Sequence, residues 1–438
     1  MTFSIVKFKE YLPESQSGIW WIALSGGLDS CVLLHSIVAL NLPVKLHALH
    51  INHQISPNAD DWQEHCAAFC ASLNIPFTAV SVTVKNTGRG IEDAARTARY
   101  DVFERYIKSG DYLLTGHHAD DQAETLLLRL MRGAGPRGLA AMARERTLGN
   151  GVLYRPLLNF ARAELEIYAQ AHQLTWVNDE SNDDDHYDRN FIRNQVIPLL
   201  RERWPQFTQK WQQTSELCAA NEALIEELAQ QDLKLAGLRP SLVGTCVDLA
   251  YLESLSRARR HNLIRAWLRG QGLSTPEQQH LQQIEQQIID GRQDAEAAVS
   301  WGNVSLRVYR QGIYALPSKD IPEITHSPLE FVRDIQLSKR LSLTSDFITS
   351  SDQPLLNPDL PNLHVRFRKG GERCRPVGRA HSQTLKRLMQ DYAVEPWLRE
   401  GLPLIYSDDN LVAVADLWVC EGFQAESGYR LGYRRKAH

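Results

Sequence analysis

The sequence predicts an α/β protein with a doubly wound parallel sheet in its N-terminal third, a helical middle region and a small α+β region at the C-terminal end. Strand and helix patterns alternate through the first third. This βαβα order is typical of parallel sheets that bind ligands at the carboxyl ends of their strands. From about residue 207 to 291 the pattern is almost entirely helical, and residues 302–316 then have strand patterns.

The first strand, turn and helix have the clearest signals. The apolar run WWIAL at 20–24 suits a buried strand, SGG interrupts it, and apolar residues recur at helical spacing from Leu28. Further elements follow in alternation. They are strand VKLHALHIN, helix ADDWQEHCAAFCASLN, strand FTAVSVTV, helix GIEDAARTARYDVFERYIKSG, strand YLLTGHH and helix ADDQAETLLLRLMRGAG.

The length and the pattern changes predict three domains. A chain of 438 residues is too long for one ordinary core. The boundaries give an α/β domain at 1–206, a mainly helical domain at 207–317 and an α+β domain at 329–438. Between the last two, the segment LPSKDIPEITHSP has the composition of a linker.

Composition indicates a globular protein of the reducing cytoplasm. The chain is 43% hydrophobic and 23% charged with a formal net charge of −4, so any nucleic-acid surface has to be local. Its seven cysteines are an odd number and contain no CxxC pair. Cys66 and Cys70, one helical turn apart, favour a half-buried helix face over a metal site. No signal-type or membrane-spanning apolar run is present, so no membrane partner is expected.

The turn SGGLDS has the chemistry of a phosphate-binding loop. Glycines let the backbone approach a ligand closely, and the helix N-terminus beyond them favours anions. An aspartate in such a loop fits a group that acts on pyrophosphate through Mg²⁺. An ordinary α/β turn with a capping aspartate is the alternative. The predicted phosphate-binding residues here are Ser25, Gly26, Gly27, Leu28, Asp29 and Ser30.

Three histidines, His47, His50 and His53, end the second predicted strand. Strand alternation sends His47 and His50 to opposite faces, which disfavours a shared metal ion. His50 or His53 lining a nucleotide pocket is the favoured interpretation, beside a purely structural role. No metal site is predicted from protein ligands alone.

The two helices that follow carry further candidates. Arg96 and Arg99 share a helix face with Glu92, so either arginine can point to a phosphate, unless the face is a solvated salt-bridge surface. On the next helix Asp121 and Glu124 are three residues apart and can bind an ammonium, or pyrophosphate through Mg²⁺. A plain helix N-terminus also favours acidic residues.

Two basic segments suit RNA. The glycine-rich loop RGAGPRG contains Arg132 and Arg137, which can contact an RNA backbone. Residues 364–387 contain eight Arg or Lys against one Glu, including Arg373, Arg375 and Arg379. A local basic surface in a slightly acidic protein indicates RNA phosphate binding, with a solvated charged face as the alternative.

Several motifs together resemble one family. SGGLDS after an apolar strand is similar to the PP-loop of ATP pyrophosphatases. With HINH, EDAARTARY, GHHADDQAETLLLRLMRG, RPLL and DESNDDDHYDRNFIRNQVIPLL, the chain resembles the tRNA(Ile)-lysidine synthetases. The tail RKGGERCRPVGRAHSQTLKRLMQDYAVEPWLREGLPLIY is similar to that family's C-terminal domain. The family's NHG motif is NHQIS here, which puts a role for Gln54 in doubt.

The resemblance implies ATP-dependent conversion of the wobble cytidine of tRNA(Ile), in the CAU anticodon, to lysidine. ATP would adenylate the C2 oxygen and release diphosphate, and the ε-amine of free L-lysine would then expel AMP. It also implies that Ser25 to Ser30 bind ATP, together with His50. Asp121 and Glu124 would serve the lysine amine, and Arg96 or Arg99 would lie near the reacting phosphate. The predicted catalytic residues are therefore Asp29, Asp121, Glu124 and Arg96, with ATP as substrate and Mg²⁺ as cofactor.

Two other functions compete with this one. A tRNA thiolase normally needs paired cysteines near the loop, and the chain has no CxxC. A non-catalytic, nucleotide-gated RNA-binding protein would have no use for the Asp121–Glu124 pair. The sequence leaves the oligomeric state open, with a homodimer as one alternative.

Overall fold

A computed structural model describes residues 3–15, 17–83, 91–180, 184–241, 244–291, 297–317, 329–331, 333–337 and 341–435. The chain forms two compact units, Met1–Leu224 and Ile225–His438. The predicted fold class is confirmed, while the three-domain division at 1–206, 207–317 and 329–438 stays a prediction.

The first unit is built on a six-stranded sheet with the order β3-β2-β1-β4-β6-β5. All neighbouring strands run parallel except β5, which is antiparallel to β6. The strands are β1 (Ile19–Ala23), β2 (Lys45–Asn52), β3 (Phe77–Ser81), β4 (Tyr112–Leu114), β5 (Glu145–Leu148) and β6 (Gly151–Tyr154).

Helices lie before, between and after these strands. They are α1 (Ile5–Lys9), α2 (Leu28–Ala39), α3 (Ala59–Ser72), α4 (Ile91–Tyr106), α5 (Ala119–Met131), α6 (Pro136–Leu139), α7 (Arg162–Ala171), α8 (Asp188–Phe191), α9 (Ile197–Arg203) and α10 (Phe207–Leu235). One π-helical turn, Ile192–Val196, joins α8 to α9. The predicted alternation of strands and helices is thus observed, but the hairpin of β5 and β6 was not predicted.

The sheet is held at its centre by apolar packing and by one buried carboxylate. Trp20 and Ile22 of β1 pack with Leu33 and Leu34 of α2 in a fully buried cluster. Asp111, just before β4, accepts a hydrogen bond from the Ile19 backbone amide at 2.8 Å. These contacts fix β1 beside β4, and the loops after both strands therefore meet at one edge of the sheet.

The second unit begins with helices packed on a five-stranded antiparallel sheet of order β7-β8-β11-β10-β9. Its strands are β7 (Arg239–Pro240), β8 (Thr245–Asp248), β9 (Ala298–Trp301), β10 (Val304–Tyr309) and β11 (Gly312–Pro317), and its helices are α11 (Leu249–Ser254), α12 (Arg257–Gly270) and α13 (Gln278–Ile284), which continues as a π-helical turn, Glu285–Ile289. The sequence pattern indicated only helix before residue 291, so β7 and β8 were missed.

The C-terminal part of this unit is mostly β, with two sheets of order β12-β16-β19-β20-β21 and β13-β14-β23-β15-β22 and a β17–β18 pair. The strands are β12 (Leu329–Glu330), β13 (Asp334–Gln336), β14 (Leu341–Ile348), β15 (Leu355–Leu356), β16 (Leu363–Arg366), β17 (Arg373–Cys374), β18 (Gln383–Thr384), β19 (Leu404–Ser407), β20 (Asn410–Val414), β21 (Trp418–Val419), β22 (Gln424–Ala425) and β23 (Gly428–Arg435). Helix α14 (Leu385–Asp391) and a 3₁₀ turn, Pro396–Leu398, complete it.

None of the helices in the described ranges is both long and apolar enough to cross a membrane.

Candidate active site

The loop between β1 and α2 has a conformation that needs glycine. Gly26 has a φ of +88°, in the region that L-residues rarely adopt. A Cβ atom at Gly26 would also meet the Cys66 sulfur and the Val177 Cγ2 atom, each at 3.0 Å. Gly27 is the N-cap of α2 and contributes no side-chain cap, so the first turn of that helix keeps its amides available for an anion.

Hydroxyl groups and one histidine brace this loop. The Ser25 and Ser30 hydroxyls are 3.1 Å apart, and Ser30 donates to the Gly27 carbonyl at 2.9 Å. His50 is buried, and its Nδ1 donates to the Leu24 carbonyl at 2.8 Å. Burial lowers the pKa of His50, so the imidazole is neutral at pH 7. His50 thus lies beside the loop and supports its backbone, while its predicted role in binding ATP stays a prediction.

The other two histidines of the HINH region have different surroundings. His47 stacks on Trp21, with ring centroids 4.4 Å apart, and its Nε2 lies 2.8 Å from the Thr78 hydroxyl. Burial lowers the pKa of His53 to about 4, with a smaller contribution from the Arg99 charge. Within the described parts of the chain, no three His, Cys, Asp or Glu side chains form a group that could hold a metal ion.

Asp29 is the unusual member of the loop. Its Oδ1 atom is buried and has no hydrogen-bond partner among the described residues. Its Oδ2 atom lies 3.6 Å from His118 Nε2. Burial raises the pKa of Asp29, and the neighbouring His118 only partly offsets this. A carboxylate oxygen left without a donor fits Mg²⁺, which proteins commonly bind through one or two carboxylates plus substrate phosphates.

The start of α5 lies next to this aspartate. His118 is the N-cap, and its Nδ1 accepts a hydrogen bond from the Asp121 amide while the Asp121 carboxylate accepts one from the His118 amide. Gly116 allows the close approach, because a Cβ there would lie 3.0 Å from the Asp29 carbonyl carbon. His118 Nε2 is 3.4 Å from Asp121 Oδ2, so one imidazole lies between two carboxylates.

Asp121 and Glu124 are buried and form ion pairs with two arginines. Arg189 donates to Glu124 at 2.8 Å and to Asp121 at 2.9 Å. Arg193 donates to Glu124 at 2.7 and 3.0 Å and to Asp121 at 3.3 Å. We call these four residues the acid–arginine cluster. Burial alone would raise the pKa of Asp121, but the neighbouring His118 and the Arg189 charge bring it below the ordinary value.

The two arginines were not among the predicted site residues. Both come from YDRNFIRN, a segment that carried the family resemblance without a role for its charged side chains. Their spacing of four residues puts them on one helix face, which is a usable signal for a paired function. The neighbouring Asp120 anchors the same region, because it accepts from the Arg162 amide at 2.8 Å and forms an ion pair with Arg201.

Arg96 and Arg99 lie on α4 and have different neighbours. Arg96 is over the Tyr100 ring, 5.0 Å from its centroid, and Arg146 approaches the same ring at 4.7 Å. Burial alone would raise the pKa of Tyr100, but Arg96 and Arg146 lower it overall. Arg99 lies near enough to His53 to affect its pKa. The side chain of Glu92 lies outside the described residues.

The predicted RNA-binding arginines are on the surface of both units. Arg132 is the exposed C-cap of α5, and Arg137 on α6 has a guanidinium nitrogen 3.9 Å from Glu222. In the second unit Arg373 donates to the Ser382 carbonyl, and Arg379 lies 3.3 Å from Asp391. Arg375 is exposed. The charge of this basic stretch is therefore partly compensated at Arg379.

The cysteines beneath the loop are more buried than the predicted half-buried helix face. Cys66 and Cys70 are 1% and 0% exposed. Burial raises the pKa of the Cys66 thiol to about 12 and that of Cys70 to about 11. Both are therefore protonated packing residues at neutral pH.

Comparison with known proteins gives three family matches along the chain. A PP-loop domain matches residues 2–200, a TilS substrate binding domain matches 248–314, and a TilS substrate C-terminal domain matches 363–432. A solved U34-tRNA thiolase from Methanococcus maripaludis is similar over 49% of this chain and 78% of its own, with 18% identity and a TM-score of 0.41.

Curated relatives match over nearly the whole length. The tRNA(Ile)-lysidine synthase of Serratia proteamaculans is 40% identical over 95% of each chain. Those of Pectobacterium atrosepticum and Coxiella burnetii are 39% and 38% identical, over 91% and 96% of this chain and 90% and 93% of theirs. The PP-loop match covers the SGGLDS loop and α5, and the match to the C-terminal domain covers the basic tail from residue 363 onward. The resemblance seen in the sequence is confirmed, and the chain belongs to the tRNA(Ile)-lysidine synthase family.

Proposed function

We propose that this chain ligates free L-lysine to C2 of the wobble cytidine of tRNA(Ile) with a CAU anticodon, through an adenylated tRNA intermediate. The observation that carries the proposal is the contact between the loop and α5, where Asp29, His118 and Asp121 lie side by side. A phosphate-binding loop and a buried acidic pair then serve one reaction. Family membership favours this function over a thiolase or a non-catalytic RNA-binding protein.

In the first step the cytosine C2 oxygen attacks the α-phosphorus of ATP, and the bond to the β-phosphate oxygen breaks to release diphosphate. The amides at the start of α2 and the Ser25 and Ser30 hydroxyls would hold the phosphates. Asp29 would bind Mg²⁺, which neutralises phosphate charge, and Arg96 would balance charge on the reacting phosphate. A carbonyl oxygen becomes a phosphate leaving group in this way.

In the second step the lysine ε-amine attacks C2, the bond between C2 and the AMP oxygen breaks, and the proton that the amine loses passes to solvent water. Asp121 and Glu124 would receive the lysine side chain. Both carboxylates are held by guanidinium groups in this structure, so the ammonium has to replace an arginine nitrogen on one of them. A cation of equal charge can make that exchange without leaving a buried carboxylate unpaired.

The tRNA would contact basic groups on both units. Arg132 and Arg137 follow α5, while Arg373, Arg375 and Arg379 lie in the C-terminal basic stretch. These contacts would orient the tRNA through its phosphates and carry no sequence information of their own. We place the reaction in the cytoplasm, and a homodimer remains one alternative for the assembly.

The direct test is incubation with ATP, labelled lysine and total tRNA. The wild type should put label into one tRNA species. Glu124→Gln should lower that incorporation roughly tenfold to a hundredfold, since an ammonium–carboxylate contact is worth about 1.5–3 kcal/mol. It should still release some diphosphate from ATP and tRNA. Glu166→Gln, on the exposed face of α7, is the matched control and should behave as wild type.

Label spread over many tRNAs, or none in any, would contradict the proposal for the whole chain. Equal lysine dependence in Glu124→Gln and wild type would leave Glu124 as a structural ion-pair partner only.

A second prediction concerns Asp29→Asn, which should lose at least about 100-fold in ATP-dependent diphosphate release. The same variant should be more stable than the wild type without ATP and Mg²⁺ at neutral pH. The raised pKa of Asp29 means that the folded state binds its proton more tightly than the unfolded state. Wild-type stability therefore falls as pH rises from 3.8 through the folded-state pKa, and the uncharged asparagine avoids this loss.

Urea unfolding at neutral pH and near pH 4 measures this difference, which should shrink as the pH falls. Asp101→Asn, at an exposed position on α4, is the control. An Asp29→Asn protein that is less stable at neutral pH, or that releases diphosphate normally, would refute the assignment.

A third prediction concerns the C-terminal basic stretch. Replacing Arg373, Arg375 and Arg379 together with alanine should weaken tRNA binding and leave ATP binding intact. The slope of log K against log salt should fall by roughly 0.7–0.9 for each phosphate that the variant no longer neutralises. Binding at several salt concentrations gives the slope, with Arg333→Ala, at an 87% exposed side chain, as control. Superimposable salt lines would show an ordinary solvated face.

A further inference from the structure

A cavity of about 380 Å³ opens beside the end of α5 in the first unit. Its walls come from the last turns of that helix and from the segment that enters α8. The lining residues are Leu128, Arg132, His186, Tyr187, Asp188 and Arg189. Neither the family matches nor the predicted site residues assign it a role, apart from the general basic character of Arg132.

The aromatic wall of this cavity is a built structure. Asp184 organises this wall through two hydrogen bonds. Its carboxylate accepts one from the His186 amide at 3.0 Å, and its backbone carbonyl accepts one from the Asn190 side chain at 2.9 Å. The ring centroids of His186 and Tyr187 are 6.0 Å apart and the ring planes are nearly perpendicular, at 76°. The wall thus offers aromatic surface to a planar ligand.

Arg189 connects the cavity to the acid–arginine cluster. It lines the cavity and also donates to Asp121 and Glu124. Leu128 and Arg132 follow Glu124 by four and eight positions, which corresponds to about 6–12 Å along the helix. A group bound in the cavity therefore lies beside the acidic pair and can belong to the same substrate as the reacting group.

The chemistry of the lining selects among ligands. Two arginines would attract a phosphate, but the Asp188 carboxylate would repel it. An aromatic ring with polar edges fits better, since it can stack on Tyr187 or on a guanidinium. Its exocyclic amine can also donate a hydrogen bond to the Asp188 carboxylate. On the same two helices, α5 and α8, Leu130, Met131 and Phe191 are 56%, 78% and 49% exposed. Exposed apolar groups beside arginines are typical of surfaces that stack single-stranded bases.

We propose that this cavity holds an unpaired nucleobase of the tRNA anticodon loop other than the reacting cytosine. Tyr187 stacks on the base, and Asp188 accepts a hydrogen bond from an exocyclic amine of that base. Arg189 lines the cavity, and Arg132 contacts a phosphate beside the base. Base and reacting cytidine are then held a fixed distance apart, which positions the cytidine. This rests on the proposed function for the identity of the RNA.

The test is tRNA binding by Tyr187→Ala, with Tyr187→Phe as the matched control that keeps the ring. Loss of one stacked base should weaken binding roughly 5- to 150-fold for the alanine variant and little for phenylalanine. The salt dependence should stay that of the wild type, because the substitution leaves every phosphate-binding cation in place. Arg132→Ala should instead reduce the salt slope.

Anticodon-loop RNAs with a single abasic nucleotide locate the base. One abasic position should weaken binding to the wild type but not add to the loss in Tyr187→Ala, which shows that ring and base contact each other. Circular dichroism and ATP binding should match the wild type in every variant, which separates loss of the stack from misfolding.

Additive losses at every abasic position, or equal weakening by phenylalanine and alanine, would overturn the proposal. A raised KM for lysine in Tyr187→Ala, with unchanged tRNA affinity, would also overturn it, because the cavity would then hold the amino acid. If the Tyr187→Ala and abasic losses are not additive but labelled lysine enters no tRNA, the proposed base pocket is supported and the proposed reaction fails.

Discussion

The arrangement depends above all on the charge compensation between α5 and the helical segment that follows residue 184. Asp121 and Glu124 are buried, and two carboxylates in such surroundings destabilise the fold unless cations accompany them. Arg189 and Arg193 supply those cations from about 65 residues further along the chain. Because each arginine donates hydrogen bonds to both carboxylates, the acid–arginine cluster fixes α8 and the π-helical turn against α5. It thereby also shapes the aromatic cavity.

A second constraint acts where the SGGLDS loop meets α5: the position of Asp29 lowers the stability of the fold. His118 caps α5 and approaches Asp29, yet one oxygen of Asp29 stays buried without a donor among the described residues. A fold optimised for stability would not keep a carboxylate whose pKa is raised by burial. The proposed role of Asp29 as a ligand of Mg²⁺ beside the phosphates of ATP accounts for this position. Gly116 has a matching role, since its missing side chain lets the loop after β4 touch the start of α2.

The sequence predicted what is local and missed what depends on distant partners. β1, the SGGLDS turn and α2 follow from an apolar run, two glycines and helical spacing within twenty residues. β7 has two residues and β8 four, which is too few for a periodic pattern. Strands β5 and β6 have four residues each, one mostly polar and one mostly apolar, and Gly149 and Asn150 form the turn between them. Asp121 and Glu124 were found by helical spacing. That Arg189 and Arg193 neutralise them required the tertiary structure, because nothing near α5 in the sequence indicates the partner.

The central claim is that a lysine ammonium replaces a guanidinium on the acidic pair. Lysine binding to the Arg193→Gln variant, measured by calorimetry in the presence of ATP, tests it most directly. Removing one guanidinium changes the formal charge of the acid–arginine cluster from zero to −1, so lysine should bind several-fold more tightly than to the wild type. Weaker lysine binding in a variant that still binds ATP would contradict the claim, and Arg193 would then be part of the lysine site itself.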